Sequence, residues 1–185
     1  MNNVLSIVDT LKSGEVIAYP TEGVFGVGCD PDNIEAIKKL LAVKERPVEK
    51  GLILIASSYE QLRPYIDETQ LSKTQLERVF STWPGPYTWV MPASRKVSPW
   101  LSGQFDTIAV RVTDHALVQA LCQEFGKPVT STSANLTGMP SCMTVNEVKV
   151  QLGERLAGIL NGEVGGRENP SEIRDARTGK MIRQG

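Results

Sequence analysis

Apolar residues recur along the chain in two periods, and the alternation between them predicts an α/β fold. Val4, Leu5, Ile7, Val8 and Leu11 fall on one helical face, and Gly14 follows as a C-cap. Glu15–Tyr19 reads as a short strand ended by Pro20, and Val24–Gly28 as a second extended piece. Ile34, Ile37, Leu40 and Leu41 return to helical spacing, in a helix that must stop before Pro47. Leu52–Ala56 is a continuous apolar run, the pattern of a central strand covered on both faces.

Polar punctuation places the remaining elements. Ser58 with Gln61, Ser72 with Gln75, and Thr144 with Glu147 have the spacing of capping boxes that open helices. Asp114 is placed to cap a helix carrying Leu117, Val118, Leu121 and Phe125, with Gly126 after it. Trp83-Pro84-Gly85-Pro86 is a rigid turn. Tyr87–Met91, Thr107–Val112 and Val129–Ser133 read as strands, and Leu156–Leu160 leads to a glycine-rich stretch over 162–167. Two short strands, near Glu172–Asp175 and Lys180–Arg183, flank a Thr178-Gly179 turn. Several connections are too short for crossovers, so the expected fold is a single α/β domain over residues 1–185. Its sheet is twisted, mixed parallel and antiparallel, and flanked by helices.

Composition narrows the class. The chain has 185 residues, 41% of them hydrophobic and 22% charged, which is ordinary for a globular domain and argues against disorder. A net charge of −1 makes a wholesale nucleic-acid binder improbable, so anion binding must come from a local cluster. Cys29, Cys122 and Cys142 are far apart and form no CxxC pair, which reads as reduced thiols of a cytoplasmic protein. No apolar run approaches the roughly 20 residues that span a bilayer.

Familiar catalytic motifs are missing. There is no GxxxxGK[ST] loop and no GxSxG elbow. Gly23-x-x-Gly26-x-Gly28 has the wrong spacing for a dinucleotide fingerprint, and His115, the one histidine, reads as a packing or surface residue. What remains is a set of loops suited to anions. KERPVEKGLILI (44–55) packs Lys44, Arg46 and Lys50 between a helix end and an apolar strand. The cluster reads either as cations offsetting a helix dipole or as a phosphate site; if extended, Lys44 and Arg46 would face one side. The hydroxyls and amide of 130–135 follow an apolar strand, where α/β proteins bind ligands and where a simple Asx/ST turn is the other reading. Arg111 lies inside an apolar strand and needs an anionic partner, either a structural carboxylate or a ligand. Gly165–Ser171 has the glycines and hydroxyl of an anion-binding loop, and also those of an ordinary mobile loop. Arg183 sits near the end of the chain. Together these features point to a small ligand with several phosphates and to no general base.

In order and spacing, Tyr19-Pro-Thr-Glu22, Lys44-x-Arg46-Pro47, Trp83-Pro-Gly-Pro86, Ala109-Val-Arg111, Ser131-Thr-Ser-Ala-Asn135 and Pro170-Ser171 resemble the YrdC/TsaC family, the threonylcarbamoyl-AMP synthases, in its short single-domain bacterial form. The resemblance spans essentially the whole chain and implies a YrdC-like fold with a cationic cleft. It implies a nucleotidyltransferase that converts L-threonine, bicarbonate or CO2, and ATP to threonylcarbamoyl-adenylate and pyrophosphate. Threonylcarbamoyladenosine is then formed at position 37 of tRNAs that read codons beginning with A. Carried onto this sequence, Lys44 and Arg46 become catalytic and hold ATP phosphates, Ser133 and Asn135 contact the nucleotide, and Arg183 closes over the phosphates. Thr21, Arg111, Ser131 and Ser171 line the threonine pocket. Mg2+ accompanies ATP, no side chain is assigned as its ligand, and no membrane is involved. Downstream threonylcarbamoyl transferase proteins are the partners, with tRNA reached directly or through them. Longer relatives carry threonine in place of Gly23 and histidine in place of Ile55. A different class of reading is a non-catalytic RNA-binding module in tRNA or ribosomal RNA maturation, in which the same cations cradle an RNA backbone.

Overall fold

A computed structural model describes residues 3–167 and 171–183. The first helix, α1 (Val4–Lys12), starts where the Asn3 side chain accepts from the Ser6 amide at 2.9 Å. Its C-cap is Ser13 rather than Gly14, which follows at φ +80°. Strands β1 (Ile17–Pro20) and β2 (Phe25–Gly28) form a hairpin, and α2 (Ile34–Lys44) is capped by Asn33. Strand β3 (Ile53–Ala56) leads to α3 (Tyr59–Leu62), α4 (Lys73–Phe80), β4 (Tyr87–Pro92), α5 (Pro99–Ser102) and β5 (Thr107–Val112). Helix α6 (Ala116–Phe125), β6 (Val129–Ser133), α7 (Val145–Leu152) and the strands β7 (Gly158–Ile159), β8 (Glu172–Asp175) and β9 (Met181–Arg183) complete the order.

Three of the expected caps differ in detail. Ser72 and Gln75 make a complete capping box at α4. At α7, Thr144 accepts from the Glu147 amide, but the Glu147 carboxylate reaches the Met143 amide, one residue further out. Ser58 makes no side-chain cap; Gln61 instead accepts from the amide and hydroxyl of Ser57. Nor does Asp114 cap α6. His115 is the N-cap residue, and its amide donates to the Thr113 hydroxyl at 3.0 Å, a local turn that competes with an aspartate cap.

The strands join in one mixed sheet in the order β7-β1-β2-β6-β3-β5-β4-β8-β9. Parallel pairs (β1–β7, β3–β5, β4–β8) are interleaved with antiparallel ones, as expected from the short connections. Successive side chains point to opposite faces. One face carries Phe25, Val27, Leu54, Ala56, Trp89, Met91, Val110 and Val112 and is closed by Ile37 and Leu40 of α2 and by Val79 of α4. The other carries Ile17, Tyr19, Ile55 and Val129 under Ile7, Val8 and Leu11 of α1 and Val118, Leu121 and Phe125 of α6.

That second cover is incomplete. Two residues before Ile55, on the same face of β3, Ile53 is only half-buried. The apolar run over 52–56 therefore does not form a strand closed on both faces throughout. The cover of α1 and α6 ends above Ile55, and beyond it the sheet is flanked by Thr21, Arg46, Ser171 and Arg183 rather than by a helix.

Candidate functional site

The helix-free end of that face is the floor of a hollow of about 110 Å3. In the sheet register, Gly26 pairs with Ser133, Ile53 with Ser131, and Ile55 with Arg111, so small and hydroxyl side chains form the floor just past the helix cover. Thr21 enters from the β1–β2 connection, Arg46 from the segment after α2, Ser171 from just before β8, and Arg183 from β9. Thr21, Arg46, Arg111, Ser131, Ser133, Ser171 and Arg183, expected from the sequence, thus line one space. Lys44 and Asn135 stand behind its wall.

The end of α2 explains how Lys44 and Arg46 part company. Glu45 takes a left-handed conformation at φ +51°, and the amides of Glu45 and Arg46 turn back to the carbonyls of Ala42 and Leu41. The segment is therefore not extended; Arg46 lines the hollow, and Lys44 does not. Lys44 is 3% exposed; its Nζ donates to the Ser133 carbonyl at 2.5 Å and to Asn135 Oδ1 at 2.7 Å. Burial first, then the Arg46 charge, pulls its pKa down to about 8. Arg46 donates through Nη2 to the Gly51 carbonyl, while its buried Nε has no partner. Burial also pulls the Arg46 pKa down.

Asn135 is fully engaged. Its Oδ1 accepts from Lys44 and from the Ser133 hydroxyl, and its Nδ2 donates to the carbonyls of Leu136 and Met139. The Thr137 hydroxyl donates back to the Lys44 carbonyl at 3.0 Å. The loop after β6 and the end of α2 are thereby one braced unit.

Arg111 has found the structural carboxylate that its position called for. It is 5% exposed, and Nη1 donates to Glu22 Oε1 at 2.6 Å. Burial, the largest single influence, raises the Glu22 pKa, but the Arg111 charge and the hydrogen bonds to the carboxylate together hold it below its ordinary value. Arg111 lines the hollow as well, so the two readings of this residue are compatible. Sequence reasoning did not find Glu22 as the partner; its one signal was the acid beside Thr21, far along the chain from β5. On the other side, the Arg183 Nη2 donates to the Ser171 carbonyl, and the Ser171 and Thr88 hydroxyls lie 2.7 Å apart. Partial burial, then the charges of Arg111 and Arg46, pulls the Arg183 pKa down. An anion arriving between these cations would relieve that repulsion.

A larger hollow of about 460 Å3 shares Arg46, Ile53 and Arg183 with it and adds Lys50, Phe105, Ile173, Asp175 and Ile182. Phe105 and Ile182 are half-exposed or more, an apolar wall the sequence reading did not foresee. His115 stays outside both, bonded through Nε2 to the Glu163 carbonyl at 2.8 Å. The amides of Gly165 and Arg167 donate to the carbonyls of Thr21 and Glu22, so this part of the glycine-rich stretch straps the β1–β2 connection. Pro170 lies outside the described residues.

Residues 9–185 match the model of the Sua5/YciO/YrdC family, described as "Telomere recombination". A threonylcarbamoyl-AMP synthase of Vibrio campbellii is 70% identical over 185 residues, covering all of both chains. Sua5 of P. abyssi, solved in complex with L-threonine, has a TM-score of 0.87 at 28% identity; the match covers 93% of this chain and 50% of that one, which is about twice as long. E. coli YciO has a TM-score of 0.82 at 22% identity, over 98% of this chain and 90% of that one, a likeness of fold.

Proposed function

The chain belongs to the Sua5/YciO/YrdC family, and on that premise we propose that the hollow among Thr21, Arg46, Arg111 and Arg183 is where it carries out its reaction. The reaction is threonylcarbamoyl-AMP synthesis, from L-threonine, bicarbonate or CO2, and ATP, with release of pyrophosphate. It serves threonylcarbamoyladenosine formation in tRNA. The observation that carries the site reading is convergence: Thr21, Arg46, Arg111, Ser131, Ser133, Ser171 and Arg183 come from separate stretches of chain and line a single space.

The chemistry suits these groups. Threonine's neutral amine adds to CO2 and releases a proton to solvent, which gives a carbamate whose oxygen is already anionic. That oxygen attacks the α-phosphorus without losing a proton, so the step needs no general base. Its obstacle is repulsion between an anionic nucleophile and a polyanionic triphosphate. Two unit charges about 4 Å apart interact by about 4 kcal/mol at an effective dielectric of 20. Arg46 and Arg183 spread that charge in the transition state, and positioning supplies the rest.

The smaller, hydroxyl-lined hollow receives threonine, with its carboxylate on Arg111 and its polar groups against Thr21, Ser131 and Ser171. The nucleotide lies with its phosphates against Arg46 and Arg183, which border both hollows. Lys44 adds positive charge from behind the wall and has a third N–H to offer. Ser133 and Asn135 reach the nucleotide edge, Asn135 by exchanging one of its present partners. Among the described residues no group of three His, Cys, Asp or Glu side chains is placed to hold a metal. Mg2+ enters with ATP, carried on the triphosphate oxygens. Among the described residues no helix is long and apolar enough to cross a membrane. We place the reaction in the cytoplasm, where transferase proteins take the product to tRNA.

Pyrophosphate release that requires both L-threonine and bicarbonate tests the activity. Release that proceeds equally without threonine contradicts it.

A further inference from the structure

Glu22 is the one carboxylate bonded to the cations that line the threonine hollow, among the described residues. It lies on the β1–β2 connection and reaches Arg111 on β5, and both side chains are more than nine-tenths buried. An ion pair so enclosed is expensive to desolvate and is weak evidence of a stabilising role. Its geometry has another consequence. A guanidinium is planar and has two edges that can grip a carboxylate. The bond to Glu22 occupies Nη1. The side edge is the other one, where the Nε–H and an Nη2–H run parallel, and the buried Nε–H has no acceptor.

The acid is itself held in place. The Arg167 amide donates to the Glu22 carbonyl at 3.1 Å, and the Gly165 amide donates to the Thr21 carbonyl at 2.9 Å. A Cβ on Gly165 would stand 3.0 Å from the Glu22 Cα, so the strap lies directly on this residue. Thr21, beside it, has its hydroxyl fixed on the Val24 carbonyl at 2.6 Å.

We propose that Glu22 is the positioning residue for amino-acid recognition: it holds Arg111 by Nη1 and so presents the Nε–Nη2 edge to the carboxylate of threonine. Glu22 touches no substrate. It selects the orientation in which Arg111 offers two parallel donors, and it offsets one of the positive charges crowded around the site. The inference rests on the reading that Arg111 meets the threonine carboxylate.

Competitive binding of L-threonine and of L-threoninol, which has a hydroxymethyl group in place of the carboxylate, is the test. Native protein is expected to favour threonine by about tenfold or more. Glu22→Gln keeps the size and removes the charge. It should shrink that preference severalfold, leave threoninol affinity unchanged, and leave ATP binding within about twofold. Glu22→Asp, which keeps the charge on a shorter arm, should fall between the two and serves if the glutamine variant does not fold. Equal weakening of threonine and threoninol in both variants, or an undiminished preference, overturns the role of Glu22 while leaving Arg111 in place. No preference in the native protein removes the Arg111 reading and the proposal with it.

Discussion

Ile53 and Ile55 sit on the same face of the same strand, and the sheet treats them oppositely. Ile55 is completely buried under α1 and α6, in a patch with Tyr19 and Val129. Ile53 lies beyond the last turn of that cover, and its neighbours across the register are Ser131 and Ala109 rather than large apolar groups. Strand β6 repeats the change along its own length, from buried Val129 to Ser131 and Ser133 in the hollow. One face thus serves two purposes: where helices cover it, it is core, and where they stop, hydroxyls, a glycine and arginines replace the apolar side chains. Ile55 lies inside the covered half, where this chain has committed the position to packing.

The largest effect should come from the open half. Arg46→Ala removes a cation and its bond to Gly51, and we expect turnover to fall by about 100- to 1000-fold. Thermal stability should stay close to native, because the side chain borders solvent space; equal loss of both would place Arg46 with the core instead. Ile55→Ala is the counterpart in the covered half. It should cost about 2–5 kcal/mol in denaturant unfolding, with activity per folded molecule nearly unchanged. Ile53→Ala should cost less than about half of that, and a reversal of the two would break the comparison between the two ends of the face.

Lys44 gives a pH signature that separates binding from stability. Its folded pKa of about 8 lies below the ordinary lysine value of 10.5. Between those values the unfolded chain holds the extra proton, so stability should rise with pH across that window. ATP favours the ammonium form, so ATP affinity should fall as pH rises through about 8. Titration calorimetry and urea melts over the same pH range check the opposed trends, and Lys44→Met should flatten both. The smallest effect is expected at Gly26. A Cβ there would stand 3.3 Å from the Tyr19 ring and 3.4 Å from the Ser131 hydroxyl. Gly26→Ala should cost about 1 kcal/mol in stability and raise the threonine KM by less than about tenfold. An unchanged KM would put Gly26 outside the threonine space.

Much of this was legible in the sequence. The Ser72–Gln75 box, the strand runs and the cations at 44–46 are local signals, and local signals survive folding. The single mixed sheet followed from connections too short for crossovers. Other features have no local signature. Left-handed Glu45 breaks the expected alignment of Lys44 with Arg46, and nothing in its residue type marks it for that conformation. The Glu22–Arg111 pair forms between residues far apart in sequence, so the sequence supplied the need for an anion and not its source. Ile53 and Ile55 look alike in the run Leu52-Ile53-Leu54-Ile55. Only the reach of α1 and α6, a tertiary property, decides which of them becomes floor and which becomes core.

A crystal structure with ATP and L-threonine bound tests the central claim most directly. The account predicts the threonine carboxylate against Arg111 and the triphosphate between Arg46 and Arg183, both on the uncovered end of the face that buries Ile55. Threonine or phosphates seated elsewhere, with Arg46, Arg111 and Arg183 left free, would contradict it.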